Sequence, residues 1–260
     1  MKSIQSRDNP FFKELSKLAS SARQRNKSSQ TLLDGTHLLS AYLDNGHRPQ
    51  HILLNAAALS DNEIAGLLAR IKDVPVTQLD DKLFVELTGL KTPTGILALI
   101  NIPQPEAPIS DCSFALLLED IQDPGNLGSM LRSAAAAGCD TVFLSAGCAD
   151  GWSPKVLRAG MGGHFSLQIL ERQNLPEIAK AFQGTLLAAS LQATRSLYGC
   201  DLRGNVAFLM GNEGAGLSEE LQNLATERIA IPMHGQVESL NAAAATAICL
   251  FEAVRQRQSL

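Results

Sequence analysis

The chain has little of what marks the more specialised protein classes. Its five cysteines, Cys112, Cys139, Cys148, Cys200 and Cys249, are odd in number and show neither a C-x-x-C pair nor Cys/His ligand spacing. This argues against a disulfide framework and a zinc site, and predicts reduced thiols that pack as small hydrophobes. No apolar run approaches the roughly 18 residues needed to cross a bilayer, and the start MKSIQSRDNP lacks the apolar core of a secretion leader. No membrane partner is expected, and the cytoplasm is the expected location. Neither sign of charge dominates: the formal net charge is −4, with 18% charged and 45% hydrophobic residues. That balance excludes general disorder, collagen and coiled coil. At about 150 residues per domain, 260 residues make one large or two modest domains. Either can bury a core without covalent staples.

The modest net charge conceals an asymmetry. The first 100 residues hold twelve Lys and Arg against ten Asp and Glu, whereas the rest hold ten against sixteen. Among the first 30, Lys2, Arg7, Lys13, Lys17, Arg23, Arg25 and Lys27 face only Asp8 and Glu14. A basic N-terminal arm suits nucleic acid; a solvated helix face explains the same charges without a ligand. The stretch NPFFKELSKLASSARQR reads as one helix, with Asn9 as cap, Pro10 in the first turn, and Phe12, Leu15, Leu18 and Ala22 on an apolar stripe opposite the bases.

From Thr31 to Asn101, pieces of helical and strand character alternate (THLLSAYLDNG, HILLN, NEIAGLLARI, VPVTQL, GILALI), which predicts a small α/β unit. Pro103, Pro105 and Pro108 then mark a linker, so the expected division is 1–101, a linker over 102–111, and 112–260. Beyond it, SFALLLED, a helix over about 127–137, DTVFLS, HFSLQIL, a helix near PEIAKAF, TLLAASL, NVAFLMG, SEELQNL, ERIAIPM and a last helix from Ser239 or Leu240 follow in turn. That order predicts a parallel sheet with helices on both faces, whose ligands lie beyond the carboxyl ends of the strands.

Three stretches stand at such strand ends. In LEDIQDPGNLGSMLRSAAAAG a buried strand runs through a DPGN turn into a helix, and Arg132 lies about two turns along it, off the apolar stripe of Leu127, Met130, Leu131 and Ala134. Such an arginine can bind a phosphate or an oxyanion, or be an ordinary surface residue. In AFLMGNEGAGLS, Gly211, Gly214 and Gly216 let backbone approach a ligand closely, while Glu213 argues against an anion and for a neutral or cationic one. Ser218 is placed to cap the following helix. In IPMHGQVESLNAAAATAICLFEA a strand exits into a loop and an Ala-rich helix begins; Ser239 and Asn241 are good caps, and His234 reads as a loop residue and not a catalyst.

Taken in this order, DPGNLGSMLRSAAAAG, LMGNEGAGLS and IPMHGQVESLNAAAATAICLFE resemble the three signature motifs of the SpoU/TrmH family of RNA ribose methyltransferases. The intervening VLRAGMGGHFSLQI is similar to the family's segment between the first two motifs, and the front half resembles its substrate-binding domain. The resemblance implies an α/β protein: a C-terminal parallel-sheet methyltransferase domain of the SPOUT type with a trefoil knot, behind a smaller N-terminal α/β RNA-binding domain. Periodicity alone never points to a knot, since connections are normally unknotted.

The resemblance further implies S-adenosylmethionine as cofactor, contacted by Gly211, Ile231 and Leu240, with Met210 and Met233 beside them. It places Asn126, Arg132, Glu213, Ser239 and Asn241 at the family's polar active-site positions. It implies RNA as partner, ribosomal before transfer RNA, and a homodimer formed through the C-terminal domain, in keeping with the small face of the Ala-rich helix. NAAAAT and MGGHF depart from the family's usual wording at two places and bear on packing. Two other classes predict different features. A dinucleotide-dependent oxidoreductase needs G-x-G-x-x-G after its first strand, which DPGNLG does not supply. A non-catalytic RNA-binding protein of the same fold has no need of the polar set.

Overall fold

A computed structural model describes residues 2–105 and 112–258. Residues 106–111, most of the expected linker, lie outside the described set. The described residues form two compact units. One runs to Pro103 and includes Trp152–Phe165; the other comprises Gln104–Gly151 and the chain from Ser166 onward.

The first unit is built on a five-stranded sheet in the order β1-β4-β3-β5-β2, from β1 (Lys2–Ile4), β2 (Gln30–Asp34), β3 (His51–Leu54), β4 (Val76–Leu79) and β5 (Ile96–Asn101). β1, β4 and β3 are parallel; β5 runs antiparallel to β3 and β2. The predicted N-terminal helix is two, α1 (Pro10–Ser20) and α2 (Ala22–Ser28), and α3 (Thr36–Asp44), α4 (Asn62–Arg70) and α5 (Asp81–Thr88) follow between the later strands. Ser20 hydrogen-bonds back to the Ser16 carbonyl at 2.8 Å, and Ser21 turns extended (φ −124°, ψ 113°) to accept from the Gln24 amide as cap of α2. Serine competes with the helix for its own backbone bonds, which is why the run breaks there. Asn9 caps α1, as its sequence predicts, and Phe12, Leu15 and Leu18 enter a core with Leu32, Leu53, Phe84 and Leu97. Each such side chain contributes about 1.5–3 kcal/mol on burial.

Trp152–Phe165, between two strands of the other unit, joins this one through its own chemistry. Thr31 donates to the Trp152 carbonyl at 2.7 Å, and Arg158 on α7 (Pro154–Gly160) pairs with the buried Asp34 carboxylate at 3.2 Å. Phe165 meets the Tyr42 ring edge-on at 5.1 Å.

In the second unit seven strands are ordered β10-β12-β9-β11-β6-β7-β8, every pairing parallel. They are β6 (Phe114–Leu118), β7 (Thr141–Leu144), β8 (Gln168–Leu170), β9 (Thr185–Ala189), β10 (Arg195–Ser196), β11 (Val206–Met210) and β12 (Glu227–Ala230). β6 and β11 are buried at every position, the continuous apolar run of a sheet covered on both faces. Ala115, Leu117, Phe143, Ala207 and Leu209 face the core shared with α8 (Leu175–Ala181) and α9 (Glu219–Leu224). Strand alternation turns Phe114, Leu116 and Phe208 to the opposite face, where α6 (Pro124–Ala137) and α10 (Ala242–Gln258) pack together.

Three local readings change. HFSLQIL is a 3-10 turn over Gly163–Ser166 and a three-residue strand, not one strand. The DPGN turn is already helix: Asp123 is the cap, accepting from the Asn126 amide at 2.8 Å, and Pro124 starts α6. The last helix begins at Ala242, because Asn241 Oδ1 accepts from the Ala243 and Ala244 amides at 2.9 and 3.2 Å. That capping role leaves Ser239 in the preceding loop.

Candidate active site at the strand ends of the second unit

Adjacent strands β12, β9 and β11 all end on the same side of the sheet, and the loops that leave them enclose a cavity of about 260 Å³. Its wall takes Met210 at the end of β11 and Gly211 to Leu217 beyond it, Ile231 and Met233 after β12, Ser239 and Leu240 before α10, and Ala189 at the end of β9 with Ser190 to Gln192 beyond it. All five residues expected at the cofactor therefore line one cavity, with Glu213 and Ser239 of the polar set.

The loop after β11 is held shut at its base. A Cβ on Gly211 would stand 2.3 Å from the Gly216 carbonyl carbon and 2.4 Å from the Leu217 nitrogen, so only glycine permits the two ends to close. Gly216 itself has φ +71°, a left-handed conformation that glycine adopts freely. Asn212 Oδ1 accepts from the Gly214 and Ala215 amides at 2.8 and 3.1 Å, and the Asn212 carbonyl accepts from the Gly216 amide at 2.8 Å. Glu119, at the end of β6, accepts from the Ser218 amide at 2.6 Å. Ser218 caps α9 as its sequence predicts.

Beside the cavity, three polar residues from distant parts of the chain form a relay. The Asn126 side-chain amide donates to Glu213 Oε1, and the Asn241 amide donates to Asn126 Oδ1 at 2.9 Å. Because Asn241 also caps α10, the relay joins the cavity wall to the starts of α6 and α10. Arg132 stands on the exposed face of α6, with no hydrogen bond or ion pair among the described residues. Of the polar set, Asn126, Glu213 and Asn241 are bonded together; Ser239 lies on the cavity wall, and Arg132 joins neither group. His234 lies exposed in the loop before α10 and outside the cavity wall.

Asn212, the Ala189–Gln192 stretch and Cys249 escape the motif reading. The strand TLLAASLQ does end in a polar turn like its neighbours, but only strand order shows that this end opens onto the same cavity. Cys249 lines the cavity from α10, and burial pushes its thiol up to about 12, so it packs as an apolar group. All five cysteines are free thiols. No group of metal-ligating side chains occurs among the described residues.

A parallel α/β sheet with glycine-rich loops around a strand-end cavity, and a polar relay beside it, is the arrangement of an α/β enzyme that takes a small ligand beyond its strand ends. Residues 113–251 match the SpoU rRNA methylase family, and residues 9–98 match the MRM3-like substrate-binding domain. The chain is 36% identical to an uncharacterized tRNA/rRNA methyltransferase of Synechocystis, over 98% of this chain and 94% of that protein. It is 32% identical to the 23S rRNA (guanosine(2553)-2′-O)-methyltransferase RlmP of Bacillus subtilis, covering 96% and 98% of the two. Among solved structures, the AdoMet-bound rRNA methyltransferase from Sinorhizobium meliloti superimposes with a TM-score of 0.83 at 27% identity, covering 98% of this chain and 97% of the other. The chain belongs to the SpoU rRNA methylase family of RNA methyltransferases, as its three motifs anticipate. No helix among the described residues is long and apolar enough to cross a membrane.

Proposed function

We propose that this protein methylates a ribose 2′-hydroxyl of ribosomal RNA, using S-adenosylmethionine held in the strand-end cavity. The observation that carries this reading is the Glu213–Asn126–Asn241 relay, which ties the cavity wall to the helix bearing Arg132. The cavity fits the cofactor's chemistry. Met210, Ile231, Met233 and Leu240 offer apolar surface to a flat heterocycle, the Gly211–Gly216 backbone offers polar groups at close range, and Glu213 places an acid where a cationic ligand is favoured. When bound, S-adenosylmethionine supplies an electrophilic methyl group on a sulfonium.

The protein's share of the chemistry is then mainly positioning. Arg132 holds an RNA phosphate and stabilises the alkoxide that develops as the hydroxyl loses its proton. A guanidinium holds its proton too tightly to be a good base, so its role here is electrostatic. Asn126 and Asn241 hold Glu213 in place, and Ser239 offers a hydroxyl at the cavity wall. Lys17, Arg23 and Lys27, exposed on α1 and α2, contact substrate phosphates. The same reading has the loops around the cavity pass through a trefoil knot, and has two copies pair through their C-terminal units. The exposed Ala244 and Phe251 on α10 support that pairing. It also places the protein in the cytoplasm.

The test is incubation with methyl-labelled S-adenosylmethionine and separate unmodified ribosomal and transfer RNA, followed by digestion to nucleosides. Label in 2′-O-methyl nucleosides of ribosomal RNA is expected. Label only in transfer RNA reassigns the substrate, and absence of label from both, with the cofactor bound, refutes the catalytic reading.

A further inference from the structure

The loop that carries Glu213 is fastened from outside the family's polar set, at the end of β6. Asp120 there is one of four non-glycine residues with positive φ among the described residues, at +54°. Its peptide is gripped on both sides. The amide donates to Ser145 Oγ at 2.9 Å, the Ser145 hydroxyl donates to Asp120 Oδ1 at 2.7 Å, and the Asp120 carbonyl accepts from Asn212 Nδ2 at 2.9 Å. Aspartate tolerates this left-handed conformation better than most residues. Here it aims the carbonyl at the β11 loop.

Asn212 thus works in two directions. Its oxygen takes the Gly214 and Ala215 amides and shapes the cavity wall; since those are both donors, its nitrogen is the end that faces Asp120. The next residue is Glu213, whose carboxylate holds Asn126. We infer that Asn212 is a positioning residue: its oxygen shapes the cofactor cavity, while its nitrogen, anchored on the left-handed Asp120 carbonyl, sets Glu213 and so the relay beside Arg132. The inference rests on the methyltransferase reading above.

Two pairs of variants separate these roles in the full-length protein, with S-adenosylmethionine affinity measured by calorimetry and the single-turnover rate on unmodified ribosomal RNA. N212D keeps the acceptor for the loop amides but sets two oxygens face to face at Asp120. It is expected to leave cofactor affinity within about threefold while slowing turnover at least about tenfold. N212A removes both bonds and is expected to weaken affinity and rate together. The second pair introduces no new charge. D120G and D120A both give up the Ser145 bond to the side chain, but D120G keeps the left-handed backbone and its carbonyl and is expected to be the faster of the two, whereas D120A, which also strains that conformation, is expected to be slower. An N212D variant at the wild-type rate, an N212D variant that loses affinity as N212A does, or D120G as slow as D120A each overturns the inference. Wild-type protein that binds cofactor but transfers no label overturns the underlying reading instead.

Discussion

Arg25 and Arg132 both sit on helices and both read in the sequence as cations available to a phosphate, yet the structure treats them oppositely. Arg25 is 4% exposed and donates to the Leu18 and Ala19 carbonyls, groups that the end of α1 leaves without helical partners. It fastens α2 to α1 and takes no part in a basic surface. Arg132 is exposed on α6, and no carbonyl or carboxylate among the described residues engages it. Arg158 resembles Arg25, engaged by the buried Asp34, whereas exposed Lys17 and Lys27 resemble Arg132. A count of basic residues measures neither class; what matters is which donors the fold has already satisfied.

The contrast is sharpest if the unengaged arginine is removed. Arg132→Ala is expected to lower turnover by about 10³-fold while cofactor affinity stays within about threefold and the urea midpoint is unchanged. A large loss of cofactor affinity would move Arg132 into the engaged class. Next in size, Arg158→Met leaves the Asp34 carboxylate buried without its partner and is expected to cost about 3 kcal/mol near pH 7 in urea titration.

The pH dependence of that loss has a definite sign. Burial raises the Asp34 carboxyl above the ordinary aspartate range, against the lowering influence of Arg158. The native state therefore binds this proton more tightly than the unfolded state does, and stability declines as pH rises through the window between the ordinary and the raised value. Removing Arg158 pushes the carboxyl up further, so the variant's deficit is expected to shrink as pH falls toward about 4. A deficit independent of pH would show that Arg158 acts through packing.

Arg25→Ala is expected to cost about 2 kcal/mol of stability, measured by the same titration, from two lost bonds to orphan carbonyls. Its effect on the salt dependence of RNA binding is expected to be nil. Smallest is the effect of Lys17→Ala with Lys27→Ala: RNA affinity several-fold weaker, a log–log salt slope shallower by about one to two, and unchanged stability. If Arg25→Ala flattens the salt slope as much as the lysine pair does, the division between engaged and unengaged cations fails.

Much of the site was legible in the residues. Asn9, Ser218 and Asn241 advertise helix starts because a cap is a local bond to the next turn, whereas Asp123 reads as part of a turn and is seen as a cap only in the fold. The three motifs pointed to Asn126, Glu213 and Asn241, which prove to be bonded to one another. The break at Ser21 was hidden beneath a helical apolar pattern, because the competing serine bonds leave that pattern intact. Asn212 was hidden as well: its partner Asp120 is 92 positions away and offers a backbone carbonyl, which no side-chain pattern reveals.

By itself the amino-acid sequence determined the local elements and the residue types at the strand ends, since apolar period, capping and glycine chemistry act over a few positions. Tertiary structure decided which of those ends meet. The order β12-β9-β11-β6 is not the order of the chain, so the wall from Ala189 to Gln192 and the anchoring of Asn212 by Asp120 exist only once the parallel strands are laid side by side. It likewise decided that Trp152–Phe165 packs in the first unit, through Thr31 and Asp34, and that Arg25 is engaged whereas nothing among the described residues engages Arg132. A donor's role depends on the acceptors that packing brings within about 3 Å, and that distance is a property of the fold.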